Sequence, residues 1–276
     1  MNTRRSHFLA LFLVLLSVGL AAGAATAPQR LVVLSYNIQH GKGMDEKINL
    51  ERQAAVIRSV SPDLVALQEV DRKVRRSGSV DQAQELARLT GLKMAFGRTM
   101  SLEGGDYGIA VLSRVPITTS TTRALPFTKG REPRVVLIVD LALTTPPVEQ
   151  ASSPFSLLTT HFDFSPDSTD RLAAVSSIAQ WIAAHPDRPA LLAGDLNSTP
   201  DSPALKALSE KWQSVGAGRH LPTSPVGNPT RQIDHILYRP ADRWRVVEAR
   251  VLNEPMASDH RPILAVLELL PPRPAR

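Results

Sequence analysis

The chain is 276 residues long and contains no cysteine, which excludes disulfide staples, thiolate metal sites and cysteine nucleophiles, so any metal must sit on oxygen or imidazole. A formal net charge of +6, with the signs mixed along the chain, suits anionic substrates but is a weak signature of nucleic-acid binding. Beyond the leader read below, the length is enough for one well-buried domain and scarcely for two.

Residues 1–25 read as a secretory signal peptide, because Arg4 and Arg5 precede the apolar run 8–16 and small residues follow at 21–27. Ala22-Gly23-Ala24 and Gly23-Ala24-Ala25 offer a small-x-small cleavage pattern, and Pro28 disfavours a later cut, so cleavage is expected near Ala24 or Ala25. The run is shorter than the roughly 20 apolar residues of a spanning helix. The expectation is therefore an exported protein, periplasmic or secreted, with no transmembrane segment in the mature chain. Without Arg4 and Arg5 the net charge falls to about +4. One domain is expected over residues 29–270, with 271–276 a disordered tail.

In chain order, residues 31–38 form an apolar, β-branched run that ends in polar residues, as a buried strand does. A helix follows over 50–60, a strand over 63–70, a helix over 81–89 and a strand over 107–112. Residues 135–141 and 155–160 are strands, and the Pro/Ser-rich stretch 144–154 between them reads as a loop. The spacing predicts a helix over 168–184, with Leu172, Val175, Ala179 and Ile182 on its apolar face, Asp167 or Ser168 as N-cap and Pro186 beyond its end. A strand over 190–193, a helix over 203–209, a loop over 221–229 and strands over 233–238, 245–252 and 263–269 complete the chain. Helices interrupt the first and last strands, whereas the middle runs strand after strand. That order argues for a four-layer α/β sandwich, two packed mixed sheets flanked by helices, over a purely parallel doubly wound sheet.

Several of these strands end in carboxylates, carboxamides or histidines where turn residues would be expected. Asn37 follows 31–36, Glu69 ends Leu67-Gln68-Glu69, His161 follows 156–160, Asp195 and Asn197 follow 191–194, and Asp259-His260 precede the last strand. Taken singly, each has a structural reading as a turn residue, solvated charge or Asx cap. Together, at strand ends that converge on one edge of a sandwich, they supply what a hard oxygen-liganded cation and a proton-transfer group require.

The motifs Ser35-Tyr36-Asn37-Ile38, Leu67-Gln68-Glu69-Val70, Tyr107-Gly108-Ile109-Ala110, Arg131-Glu132-Pro133, Thr160-His161, Gly194-Asp195-Leu196-Asn197, Ile233-Asp234-His235 and Ser258-Asp259-His260 occur in that order. Each alone is weak, but the series in register resembles the endonuclease/exonuclease/phosphatase superfamily from end to end of the mature chain. The resemblance implies a DNase-like fold and a metal-dependent phosphoric ester hydrolase. It implies that Glu69, helped by Asn37 and Asp259, holds Mg²⁺ or Mn²⁺, and that Asp195 and Asn197 orient the attacking water and touch the phosphate. His260, polarised by Asp234, resembles one acid/base or phosphate-binding histidine; His161, oriented by Glu132, resembles the second. A carboxylate behind each imidazole is expected to raise its pKa.

Gln39 stands where AP endonucleases have an aspartate and His161 where they have a tyrosine, which disfavours abasic-site repair. The stretch 75–82, Leu89-Thr90-Gly91 and Phe96-Gly97 resemble small bacterial members and a domain linked to GPI-anchor lipid remodelling. The substrate expectation is a phosphodiester. An exported nuclease and a phospholipid or sphingomyelin head-group hydrolase are its two forms, and a phosphomonoesterase comes third. A long arginine-lined groove would favour nucleic acid, and exposed aromatic or aliphatic groups near the site a lipid. The non-enzyme alternative is an inactive binding module of the same fold. No stable protein partner is expected, and the chain reads as a monomer.

Overall fold

The computed structural model describes residues 28–145 and 148–272, so the segment expected to be a signal peptide and most of the expected tail lie outside the described residues. In chain order the elements are β1 (Gln29–Asn37), α1 (Leu50–Ser59), β2 (Leu64–Arg72), α2 (Gln82–Thr90), β3 (Lys93–Leu102) and β4 (Gly105–Ser113). Next come β5 (Ile117–Ala124), β6 (Val135–Thr145), β7 (Val148–His161), α3 (Thr169–Ala184), β8 (Ala190–Asp195) and α4 (Pro203–Ser209). The chain ends with β9 (Gln213–Ser214), β10 (Asp234–Arg239), β11 (Trp244–Val251) and β12 (Ile263–Leu269). Two six-stranded sheets result, ordered β11-β12-β1-β2-β4-β3 and β5-β6-β7-β8-β10-β9.

The apolar runs of the central strands bury both faces, and their period of two divides them between two layers. Val33, Leu64, Ala66, Val111, Leu157, Leu191 and Leu267 meet between the sheets. Leu34, Tyr36, Val65, Leu67 and Leu112 turn outward under Ala54, Ile57 and Leu86 of α1 and α2. Leu158, Leu192 and Leu237 turn outward under Ile178, Trp181 and Leu205 of α3 and α4. The four-layer sandwich expected from the element order is the observed architecture. Among the described residues no helix is long and apolar enough to cross a membrane.

Three strands escaped the sequence reading. β3 and β5 are edge strands, and β5, Ile-Thr-Thr-Ser-Thr-Thr-Arg-Ala, is exposed over nearly its whole length, so it has no apolar alternation to detect. β9 has only two residues. The expected loop over 144–154 is instead the end of β6 and the start of β7, because the hairpin ladder continues past the apolar core. The face of α3 also differs from expectation. Leu172 and Ala179 are exposed, whereas Ala174, Val175, Ile178, Trp181 and Ile182 are buried. Apolar residues surround this helix, so periodicity left its face open, and seating the bulk of Trp181 and Ile178 against the sheet decides it.

Topology sets where the strand ends fall. β1 and β2 run parallel, as do β7 and β8, while β12 and β10 run antiparallel to their neighbours. The ends of β1, β2, β7 and β8 and the starts of β10 and β12 therefore share one edge of the sandwich.

Candidate active site

On the second sheet, the registers His161↔Asp195 and Asp195↔Asp234 line three polar residues across the ends of β7, β8 and β10. Close strand approach makes this row possible, because a Cβ on Gly194 would lie 2.0 Å from the Thr160 carbonyl oxygen. On the first sheet a β-bulge between Leu67 and Val70 breaks the β2–β4 ladder, and Glu69 takes a left-handed φ of 57° there. Bulges re-aim side chains, and this one turns Glu69 into the cleft. Gln39, His40 and Asn197 also have positive φ, so backbone strain gathers at this edge as it does at functional sites.

Asn37 is buried and donates through Nδ2 to Glu69 Oε1 at 3.0 Å and to Asp195 Oδ2 at 3.3 Å. Its Oδ1 accepts from the Gln39 amide at 3.1 Å, which sets the orientation of the carboxamide. It thus ties the carboxylates of the two sheets together and positions Glu69, whereas the family resemblance groups it with the metal-holding oxygens. Ser258 Oγ donates to the Asn37 carbonyl at 2.7 Å and contacts Asp259 Oδ1 at 3.3 Å, seating the Asp259-His260 turn on the end of β1.

His260 Nδ1 lies 2.8 Å from Asp234 Oδ2, and Thr223 Oγ1 donates to the same oxygen at 2.5 Å. Burial works against the imidazolium, but Asp234 and then Asp195, 3.8 Å away, outweigh it and push the His260 pKa up to about 10. Burial, reinforced by Asp234, pushes the Asp195 carboxyl up from the usual range. Burial likewise raises Glu69, with Asp259 adding to the effect. Asp195 Oδ1 accepts the Asn197 amide at 2.9 Å, and Asn197 Nδ2 donates to the Phe162 carbonyl at 3.0 Å.

His161 departs from expectation. Its Nε2 is 3.5 Å from Asp195 Oδ2, while its buried Nδ1 has no hydrogen-bond partner. Glu132 does not orient it: that carboxylate lies 2.9 Å from Arg134 Nη1. Burial, followed by Arg134 and His260, holds the His161 pKa well below the ordinary value, so this histidine is neutral. Two residues of backbone carry Arg134 to the same wall as Glu132, and the nearer cation captures the carboxylate.

Glu69, Asp259, His260, His161, Asp195, Asn197 and Glu132 all line one cleft of about 420 Å³. The sequence residues thus converge, with Asn37 and Asp234 buried just behind. His40, Arg76, Met100, Leu102, Tyr107, Arg134 and Phe164 also line it and are not among the site residues read from the sequence, and Gln39 completes the wall. Arg76 was not readable, because its partner Asp71 could equally be a solvated loop charge in sequence; in the fold Asp71 is buried and takes Arg76 Nε and Nη2 at 2.9 Å each. Tyr107 and Arg134 stand in or beside motifs already noted.

The sequence model of the Endonuclease/Exonuclease/phosphatase family matches residues 34–260. The chain belongs to this family. Its members are phosphoesterases, which makes the chain a hydrolase in general terms. A relative, the uncharacterized protein YbhP of Escherichia coli K12, is 27% identical over 250 residues, covering 86% of this chain and 96% of YbhP. An endonuclease/exonuclease/phosphatase from Beutenbergia cavernae DSM 12333 has a TM-score of 0.70 at 25% identity, covering 90% of this chain and 74% of that one. Mannosyl-6-phosphatase Bt3783 of Bacteroides thetaiotaomicron VPI-5482 has a TM-score of 0.69 at 17% identity, over 86% of this chain and 99% of that one, a likeness of fold alone.

Divalent metals are common in the family, and the site has the chemistry for one. Asp195, Asp234 and His260 bring one ligand atom each within 4.8 Å of one another. Asp234 Oδ2, however, is already engaged by His260 and Thr223. Glu69 and Asp259 instead keep carboxylate oxygens open to the cleft. The donors are all oxygen and imidazole, as suits a hard cation. Carboxylates also outnumber cations here, with Glu69, Asp195, Asp234, Asp259 and Glu132 facing His260, Arg76 and Arg134. An anionic phosphate needs further positive charge to enter.

Proposed function

We propose that this chain is a Mg²⁺- or Mn²⁺-dependent phosphodiesterase that cleaves a P–O bond by in-line attack of water, without a covalent intermediate. The observation that carries the reading is the hydrogen-bonded His260–Asp234 pair beside Asp195 and Asn197, facing Glu69 and Asp259 across a single cleft. Glu69 and Asp259 would hold the cation, with Asn37 positioning Glu69. Bound there, a divalent ion supplies charge to neutralise phosphate oxygens as negative charge develops on them. The protonated His260 suits a donor to a phosphate oxygen or to the departing alkoxide, kept in its charged form by Asp234. Asp195 and the Asn197 carboxamide orient the water. His161, neutral, suits a proton acceptor, and Asp195 beside its Nε2 steadies the imidazole as it takes up charge.

Hydrolysis of bis-p-nitrophenyl phosphate by residues 26–276, with Mg²⁺ and then EDTA, tests the reading. EDTA should abolish turnover, and His260→Ala should lower kcat about 10²–10⁴-fold with an unchanged far-UV spectrum. Retained activity in either case overturns it. A phosphomonoesterase, the activity that the name of the Bacteroides neighbour carries, would instead favour p-nitrophenyl phosphate. An inactive binding module would turn over neither ester. Export belongs to the same proposal, and amino-terminal sequencing of the periplasmic or secreted protein should find cleavage near Ala24 or Ala25.

A further inference from the structure

Exposed apolar side chains on a folded protein are ordinarily scattered, and single ones need no explanation. Here they gather. Of the large apolar side chains exposed among the described residues, Met44, Ile48, Val80, Phe127, Phe164 and Met256 stand on loops at the catalytic edge, and only Leu172 and Val247 stand elsewhere. The placement follows from topology. The segment after β1 carries Met44 and Ile48, the one after β2 Val80, the one before β6 Phe127, the one after β7 Phe164 and the one before β12 Met256.

These loops are tied down in two groups. The Met44 amide donates to the Met256 carbonyl at 2.9 Å, which joins the loops of the first sheet. The Thr128 amide and hydroxyl donate to Asp170, and Arg131 bridges to Asp163 and Asp170, which joins the loops of Phe127 and Phe164. An apolar group therefore stands on each side of the cleft mouth, and Phe164, 67% exposed, lines the cleft itself.

Charge accompanies the apolar groups. Lys47, Lys73, Arg75 and Lys129 share these loops, are exposed, and have no carboxylate partner within 4 Å. The arginines inside the cleft differ, since Arg76 is committed to Asp71 and Arg134 to Glu132. A nuclease groove would show the reverse, with free arginines along the path of the strand and few apolar groups to meet its phosphates. Apolar side chains interleaved with unpaired cations match the boundary between the acyl chains and head groups of an anionic bilayer.

We propose that the catalytic edge docks on an anionic lipid bilayer and that the substrate is the phosphodiester of a lipid head group presented there. The chemistry rests on the phosphodiesterase reading; the docking does not. Flotation of the mature protein with phosphatidylglycerol/phosphatidylcholine vesicles, against pure phosphatidylcholine and against plasmid DNA, tests it. The wild type should float with the anionic vesicles, and the combined Met44→Ser, Phe127→Ser and Met256→Ser variant should lose about tenfold or more in binding and in head-group release. Its turnover of bis-p-nitrophenyl phosphate should be unchanged. Lys47→Glu with Lys129→Glu should abolish the preference for anionic vesicles. Failure of the wild type to float, equal flotation of the variants, or binding of DNA alone overturns the proposal. Flotation without turnover of any ester would overturn the enzymatic reading while leaving the docking in place.

Discussion

Asp234 Oδ2 accepts from two side chains, His260 and Thr223, and this small hydrogen-bonded unit holds His260 in its charged form at the cleft. Neutralising the carboxylate leaves burial to act on His260 without its main opponent. Asp234→Asn should therefore move the His260 pKa down from about 10, toward or below the usual imidazole value, and lower kcat by about 10²–10⁴-fold. Nuclear magnetic resonance titration of the ring protons checks the first effect and bis-p-nitrophenyl phosphate turnover the second. A His260 pKa unmoved by the substitution would show that Asp195 alone carries the effect. At this scale Asp259-His260, Asp195, Asn197 and Glu69 were legible, because polar groups at strand ends lack a structural need for their identity. The partner of Glu132 was not. The motif places Glu132 near the site, but only the folded wall shows Arg134 closer to it than His161.

The closest constraint among elements lies between β7 and β8. Gly194 faces the Thr160 carbonyl across a parallel pair, and an added methyl would sit 2.0 Å from that oxygen, where neither backbone can yield without breaking the ladder. Gly194→Ala should cost about 3 kcal/mol or more in urea unfolding. It should also cut kcat, because His161 and Asp195 terminate the two strands that must separate. Wild-type stability in the variant would mean that the sheet relaxes cheaply. Strands buried on both faces were legible from composition alone, whereas edge strands such as β5 carry Thr and Ser toward solvent and look like loop. The motif glycine was visible in the sequence, but the clash that requires it was not.

Across the whole molecule, the two sheets share one apolar interior, and polar contacts cross it only at selected points such as Gln68 Nε2 to Thr159 Oγ1 at 3.2 Å. The loop before β6 is tied to the start of α3 through Asp170, which accepts both donors of Thr128. Burial acts to raise the Asp170 carboxyl, but these hydrogen bonds and Arg131 outweigh it and hold its pKa below the ordinary range. A carboxyl depressed in the folded chain stabilises it above the unfolded value near 3.9, and that contribution disappears as pH falls through the folded value. Asp170→Asn should thus cost about 1–2 kcal/mol at neutral pH. The gap should close as pH falls through the folded value, below the ordinary carboxylate range, in urea titrations across pH. A gap constant with pH would assign the effect to packing.

Composition, hydrophobic period and the order of polar strand ends by themselves determined the sandwich, the family resemblance and about half of the cleft residues, because each is written locally in a run of the chain. Tertiary structure alone decided the rest. The neutral state of His161, the capture of Glu132 by Arg134, the turning of Asn37 toward two carboxylates and the gathering of Met44, Phe127, Phe164 and Met256 around one mouth all depend on residues far apart in sequence. Their distances and shared burial exist only after the strands have paired.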